Sequence, residues 1–346
     1  MANVGSLGSP QNLTNALSEA FEAQIVRQIN RKSVLLSVLP IIMGEGKRCA
    51  WDVEEAGATA ATYAEAADVA SGDYGVDQEL PATLDWGLYR APFQITGLAD
   101  SAAYTSPRPE GLRNYWQEKL FGSVSKLGDV INKGLYTGTG ANSILGLHAT
   151  AGALLDTGVY AGIDRSTATF WQGNVLANGG TPRAISFDLM RQAVRATYVQ
   201  SGEEPDVIVT DPIQWDKFAL LFEANRRYPI NTITTMAGEI KLSAGHRALD
   251  FDGIPVLRDK DHPAGKMSFL NTAYQQVKFL PTRPEQDVQG PNGNFVVHDD
   301  KGQTSGLPAR IEFLGKTGDT TKAFTKVYVQ LVTKRPNATA LLDDLS

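Results

Sequence analysis

The chain holds one cysteine, Cys49, in 346 residues, so it has neither an internal disulfide nor a metal site built on several thiolates. Four histidines, His148, His246, His262 and His298, stand far apart with no ligand spacing between them, and no serine lies in a Gly-x-Ser-x-Gly elbow. Nothing in these residues argues for an enzyme, a metal or a cofactor. No apolar run is long enough to span a bilayer, and the N-terminus lacks the charged and apolar regions of a secretory leader. The expectation is a soluble protein without membrane contact, made in a reducing compartment. Basic residues number 32 against 38 acidic ones and form no block, which argues against tight sequence-specific binding of nucleic acid.

Lysine is missing from Cys49 to Glu118, and within that window Ala56 to Ala70 is dominated by alanine. Such a segment has little to bury. On either side the pattern alternates as strands do: Cys49, Trp51 and Val53 first, then Leu84, Trp86 and Leu88, with a restart at Phe93 and Ile95 after Pro92. The spacing predicts a long two-stranded arm with an acidic, Gly- and Ala-rich tip, and Cys49 inside it reads as a small buried apolar residue. A lone hairpin is marginal in water, so its apolar ladders need a further surface, which a second copy of the chain can supply. An arm of this kind points to assembly rather than catalysis.

Ser9-Pro10 opens an amphipathic helix with Leu13, Leu17, Phe21, Ile25 and Ile29 at four-residue steps. A second, long helix opens near Pro107 to Pro109, carries Leu112, Trp116, Leu120, Val124, Leu127, Ile131 and Leu135, and stops at Gly138/Gly140. From Ser186 the pattern becomes mixed α/β. Ser186 caps a helix with Phe187, Met190, Val194 and Tyr198 on one face, Val207-Ile208-Val209 is a strand, and Asp211-Pro212 begins a helix. Strands follow at Gly253 to Leu257, Met267 to Leu270, Val277 to Leu280, Asn294 to His298, Ala309 to Leu314 and Ala323 to Lys334. No internal repeat or low-complexity linker divides the chain.

The stretch Tyr160-Ala-Gly-Ile-Asp-Arg-Ser-Thr-Ala-Thr-Phe-Trp171 resembles a segment of the major capsid proteins of tailed bacteriophages, of the Hong Kong 97-type fold. Phe251-Asp-Gly-Ile-Pro-Val-Leu257 with Phe269-Leu-Asn-Thr272, and Tyr328-Val-Gln-Leu-Val332 before Arg335-Pro-Asn-Ala338, are similar to later strands of the same family. The element order resembles it too. The resemblance implies an α+β subunit with an N-terminal arm over residues 1–46, an extended E-loop hairpin over 47–99, a P domain with a spine helix over 100–185, a mixed α/β A domain over 186–280, and return strands of the P domain over 281–346. It implies hexamers and pentamers of an icosahedral phage head enclosing double-stranded DNA without sequence specificity. Assembly in the bacterial cytoplasm into a virion capsid follows, with a portal and a separate scaffolding protein as partners, because the first helix begins by Ser9. In the type member an E-loop lysine forms an isopeptide cross-link to a neighbour. This loop has no lysine at its tip, so that chemistry is expected to be absent.

Each sharp motif has a plainer reading. Gly138-Thr139-Gly140 follows a helix rather than a strand and reads as its terminating turn, not a phosphate loop. Asp250-Phe251-Asp252-Gly253 lacks the later calcium-loop ligands and reads as a turn before a strand. Asp211 before Pro212 reads as a helix cap rather than a catalytic carboxylate. Arg165 is expected either in a solvated turn with Asp164 or in a charge-assisted bond within or between subunits, with Trp171 as a nearby anchor. The acids Glu54, Glu55, Glu65, Asp68, Asp73, Asp77, Glu79 and Asp85 are a solvated face, or they lie over a neighbour bearing Arg108, Arg113, Lys119 and Lys126. Leu17, Phe21, Ile25, Trp51, Tyr63, Tyr74, Trp86, Arg165 and Trp171 are the expected subunit-contact residues. Two other readings stand beside the phage head: an encapsulin-like nanocompartment shell, and a soluble α/β enzyme built on Ser186 to Leu280.

Overall fold

A computed structural model describes residues 34–56, 62, 78–98, 115–221, 232–235, 238–241, 249–280, 295–298, 304–314 and 318–346. A short helix, α1 (Val34–Val38), leads into β1 (Ile41–Met43), β2 (Arg48–Ala56), β3 (Gln78–Asp85) and β4 (Gly87–Thr96). The long helix α2 (Tyr115–Thr137) is followed by the hairpin β5 (Val159–Tyr160) and β6 (Ile163–Asp164), then β7 (Asn174–Leu176). Next come α3 (Phe187–Ser201), β8 (Val207–Thr210), α4 (Pro212–Leu221), β9 (Thr232–Thr235), β10 (Gly238–Lys241) and β11 (Leu249–Phe251). Strands β12 (Ile254–Arg258), β13 (Met267–Leu270), β14 (Gln275–Phe279), β15 (Phe295–His298), β16 (Thr304–Leu314), β17 (Thr320–Thr333) and β18 (Ala340–Leu342) complete the chain. The architecture is α+β, as expected.

Two six-stranded sheets organise it. The first runs β1-β14-β17-β16-β15, with β4 also paired along β17. The second runs β11-β12-β8-β13-β18-β7. Every residue of β8 is buried, the mark of a strand covered on both faces. Val207 and Val209 join the larger core with Leu127, Ile131 and Leu135 of the long helix. Ile208 points to the opposite face, into a second core with Met190, Trp215 and Phe218 of α3 and α4. The sheet thus has the larger core on one face and the α3/α4 layer on the other.

Local rules account for several boundaries. The Ser186 hydroxyl accepts a bond from the Leu189 amide at 3.3 Å, and Gly202 closes the same helix with φ 77°. Asp252 (φ 50°) and Gly253 (φ 87°) make the two-residue turn between β11 and β12. The long helix ends before Gly138, where a Cβ would stand 2.1 Å from the carbonyl oxygen of Ile144. Its 23 residues span about 34 Å. The expected start near Pro107 lies outside the described residues, as does the helix from Ser9 with Leu17, Phe21 and Ile25.

The sequence reading needs correction in four places. The arm expected over 47–99 divides at Trp86: β2 and β3 form the ladder, whereas β4 pairs with β17 from Gly87↔Val329 to Thr96↔Thr320. Gly87 permits this crossing, because a Cβ there would lie 2.6 Å from the Ile144 nitrogen and 2.8 Å from the Val329 oxygen. Strand β14, which falls in the stretch 186–280, pairs with β1 and β17 in the first sheet. Strand β18, which falls in 281–346, lies in the second sheet between β13 and β7. On α3 the buried residues are Met190, Ala193 and Thr197, while Tyr198 is exposed. Thr197 sits in the core because its hydroxyl is satisfied by the Ala193 carbonyl at 3.1 Å.

Candidate functional site

The arm is a regular antiparallel ladder from Arg48↔Asp85 to Glu54↔Glu79, with an irregularity before Ala56↔Gln78. Alternation divides its faces. Cys49, Ala82 and Leu84 are buried in the main core, and Trp51, Val53 and Leu80 pack partly against it. The base of the arm is therefore covered by its own subunit, and a second copy is not needed there. Burial pushes the Cys49 thiol up to about 12, so the group stays neutral and inert. The other face carries exposed Asp52, Glu54, Glu55 and Glu79. Asp85 pairs with Arg48 at 2.7 Å on the surface, a contact of little energetic weight.

Trp86 stands at the junction of ladder and sheet. It is buried at 7 %, and its indole N–H donates to the Gly46 carbonyl at 3.1 Å. Within the subunit it anchors the end of the ladder to the turn at Gly46. Trp51 is half-buried, and its indole nitrogen has no partner among the described residues. Tyr63 and Tyr74 lie outside those residues.

Beneath the arm sits the segment that carries the family resemblance. Ala161 (φ 54°) and Gly162 (φ 87°) form the turn of the β5–β6 hairpin. Arg165 follows it and is fully buried. Its Nε donates to the Trp171 carbonyl at 3.2 Å, its Nη1 to Thr157 at 3.0 Å, and its Nη2 to Gly152 at 2.8 Å and Ala153 at 3.3 Å. The guanidinium lies 5.3 Å from the Tyr160 ring centroid. Burial lowers its pKa to about 10, with Tyr160 and Asp156 opposing, so it remains a cation at neutral pH. One planar cation thus satisfies four carbonyls from three stretches of irregular chain.

The same segment ties the arm to the first sheet. Trp171 donates its indole N–H to the Tyr160 carbonyl at 3.1 Å, and the Tyr160 hydroxyl accepts from the Thr333 amide, at the end of β17, at 2.8 Å. The Thr83 amide in β3 donates to the Ala161 carbonyl at 2.8 Å. Burial pushes the Tyr160 phenol up to about 12. Asp164 stays outside, where its carboxylate accepts from the Ser166 amide at 2.9 Å and its pKa is lowered chiefly by that bond. Arg165 and Trp171 are therefore the root on which the arm stands, and of the readings open for Arg165 the bond within the subunit holds. Nothing in the spacing distinguishes a buried arginine from a surface one. The local signal was the tight turn before it.

The candidate catalytic carboxylate, Asp211, is buried at the start of α4, where burial raises its pKa and the Gln214 and Ile213 amides pull the other way. That is the environment of a cap. Among the described residues no three His, Cys, Asp or Glu side chains gather as metal ligands, and no helix is long and apolar enough to cross a membrane. Sequence reading missed one constellation. His148 and His262 meet with their ring centroids 4.9 Å apart, on either side of Ser268.

No protein-family model and no curated protein sequence matches the chain. Solved structures do. The cyanophage A-1(L) capsid asymmetric unit superposes with a TM-score of 0.74 at 21 % identity, over 96 % of this chain and 98 % of the other. The capsid of a native GTA particle gives a TM-score of 0.61 at 13 % identity, over 98 % and 100 %. The SrpI encapsulin of Synechococcus elongatus PCC 7942 gives 0.58 at 12 % identity, over 98 % and 96 %. From end to end, the chain has the fold of phage-capsid shell proteins, which an encapsulin shares at a lower score.

Proposed function

We propose that this chain is the major capsid protein of a tailed phage, whose copies assemble in the bacterial cytoplasm into hexamers and pentamers of an icosahedral head around double-stranded DNA. Its work is mechanical, and no catalytic step is assigned to it. The observation that carries the reading is the fold shared over nearly the full length of both chains with a cyanophage capsid subunit. The arm supports it: a ladder rooted beside Arg165 and acidic on its outer face.

In this reading the arm of one copy lies along the long helix of the next. Between β4 and that helix runs a groove of about 330 Å³ lined by Tyr89, Arg90, Pro92, Phe93, Lys126, Leu127 and Val130. Arg90 and Lys126 are exposed at it, and Val130 is 53 % exposed, offering basic and apolar complement to Glu54, Glu55 and Glu79. Leu17, Phe21, Ile25, Tyr63 and Tyr74 are the further contact residues of the proposal. Each exposed ion pair contributes at most about 1 kcal/mol, but a closed shell repeats the contact in every subunit. The acidic balance of the chain suits a genome that is confined rather than recognised.

Particles recovered from producing cells test the proposal. Shells that contain nuclease-protected double-stranded DNA support it. Shells that hold a protein cargo and no DNA support the encapsulin-like reading instead, and a small soluble oligomer contradicts both.

A further inference from the structure

His148, Ser268 and His262 form a continuous chain whose proton positions follow from its partners. His262 Nδ1 lies 3.0 Å from the Pro263 carbonyl oxygen, which can only accept, so Nδ1 carries the proton and Nε2 is bare. The Ser268 hydroxyl, 2.9 Å from that Nε2, must then donate to it. Its oxygen, 2.9 Å from His148 Nε2, accepts in turn, so His148 is protonated at Nε2. That leaves His148 Nδ1 as a bare acceptor, buried and without a hydrogen-bond partner among the described residues. All three side chains belong to different parts of the fold: the loop after the long helix, strand β13, and the β12–β13 connection.

Among the described residues, no group around the two imidazoles is placed to accept a further proton's charge. From the long helix, Tyr136 packs edge-on against His262 at 5.2 Å and stacks on His148 at 6.4 Å. Its hydroxyl donates to Asp259 at 3.0 Å, and Asn132 donates to Asp259 and Asp261. The Asp259 carboxylate also accepts from the Asp261 amide at 3.0 Å, so its lone pairs are taken. Lys260 bonds Asp261, and from the sheet Lys266, paired with Asp343, adds positive charge that disfavours an imidazolium. Protonating His262 at Nε2 deprives the Ser268 hydroxyl of its acceptor. Protonating His148 at Nδ1 creates a buried donor facing no acceptor.

We propose that the His148–Ser268–His262 chain is a proton-sensitive latch between the long helix and the second sheet, closed while both imidazoles are neutral and released when either is protonated. Acid acts by favouring the open junction, where both rings regain their ordinary basicity. The device belongs to the single subunit and does not rest on the capsid reading.

Hydrogen exchange of the full-length free subunit between pH 7.5 and 5, corrected for intrinsic amide chemistry, tests it at residues 144–155 and 259–268. Below about pH 6.5 the opening constant of the parent should rise up to ~100-fold per pH unit, one factor of ten for each histidine. His262→Gln should reduce the rise to ~10-fold, and His148→Gln with His262→Gln should abolish it. Histidine-selective NMR of the parent gives an independent reading: at pH 6 both rings should be neutral, His262 as the Nδ1–H tautomer and His148 as the Nε2–H tautomer. A ring titrating near pH 6.5 in the folded parent, a pH-independent opening, or an unchanged acid response in the double variant overturns the latch. If a variant fails to fold, the NMR result decides alone.

Discussion

Replacing Arg165 by methionine removes the cation that organises the root of the arm while keeping a long, flexible apolar stem. The buried carbonyl oxygens of Trp171 and Ala153 lose their donor, whereas that of Gly152 keeps the Leu155 amide at 3.4 Å and that of Thr157 lies in an exposed turn. Each buried polar group left unpaired costs roughly 1–3 kcal/mol, so the gross loss from these two lies near 2–6 kcal/mol. Removing the guanidinium also relieves its own burial cost of several kcal/mol. The expected net destabilisation is about 1–3 kcal/mol, an appreciable share of the roughly 5–15 kcal/mol that stabilises a typical domain. Urea unfolding of the free subunit measures it directly. Exchange of the Thr83 amide reports whether the bond from β3 to Ala161 loosens with the root. Arg165→Lys should recover little, since a compact ammonium cannot span the four acceptors. A loss below about 1 kcal/mol with unchanged protection at Thr83 would refute the assignment of Arg165 as organiser.

Acid should destabilise the folded subunit through His262. Its pKa is lowered to about 4, chiefly by burial, whereas the unfolded side chain titrates near 6.5. Stability is then full above about pH 6.5 and declines as the pH falls towards 4, by about 3 kcal/mol for this group alone. His148 is shifted the same way, also chiefly by burial, and adds to the decline. Denaturant midpoints measured across that window check the slope, and a flat profile contradicts it. Cys49 should resist thiol reagents in the native subunit at pH 8 and react fully once unfolded, because burial keeps its thiol protonated; rapid native labelling would show that the base of the arm is open. Replacing residues 57–77 by an Asn-Gly turn should leave the subunit folded and its melting cooperative while weakening shell formation, judged by sedimentation against the parent. Boiled, reduced particles should run as one band at the monomer mass, since no lysine lies between Cys49 and Glu118, and a ladder of linked multimers would count against this.

Local chemistry was legible in the sequence. The Ser186 cap, the Asp252-Gly253 turn, the strand through Val207 to Val209 and the glycine stop of the long helix each depend on neighbours within a few residues. The same holds for the apolar face through Cys49, Trp51 and Val53. What the sequence did not disclose depends on close approach across the fold. The arm divides at Gly87 because the backbones of Ile144 and Val329 crowd that position, and periodicity carries no trace of such crowding. Leu88, which alternation placed with Leu84 and Trp86, is 53 % exposed as a result. For Arg165 the sequence left a solvated turn and a charge-assisted bond both open, and the choice rests on four carbonyls that only the folded chain brings around the guanidinium. His148 and His262 become neighbours only through strand β13, which carries Ser268 between them.

The most direct test of the account is electron cryomicroscopy of the purified full-length protein under conditions that favour assembly. The account predicts closed shells of hexamers and pentamers, with the β2–β3 arm of each subunit lying over the long helix of its neighbour beside Arg90 and Lys126. A discrete low-order oligomer, or shells in which the arm stands free in solvent, would contradict it.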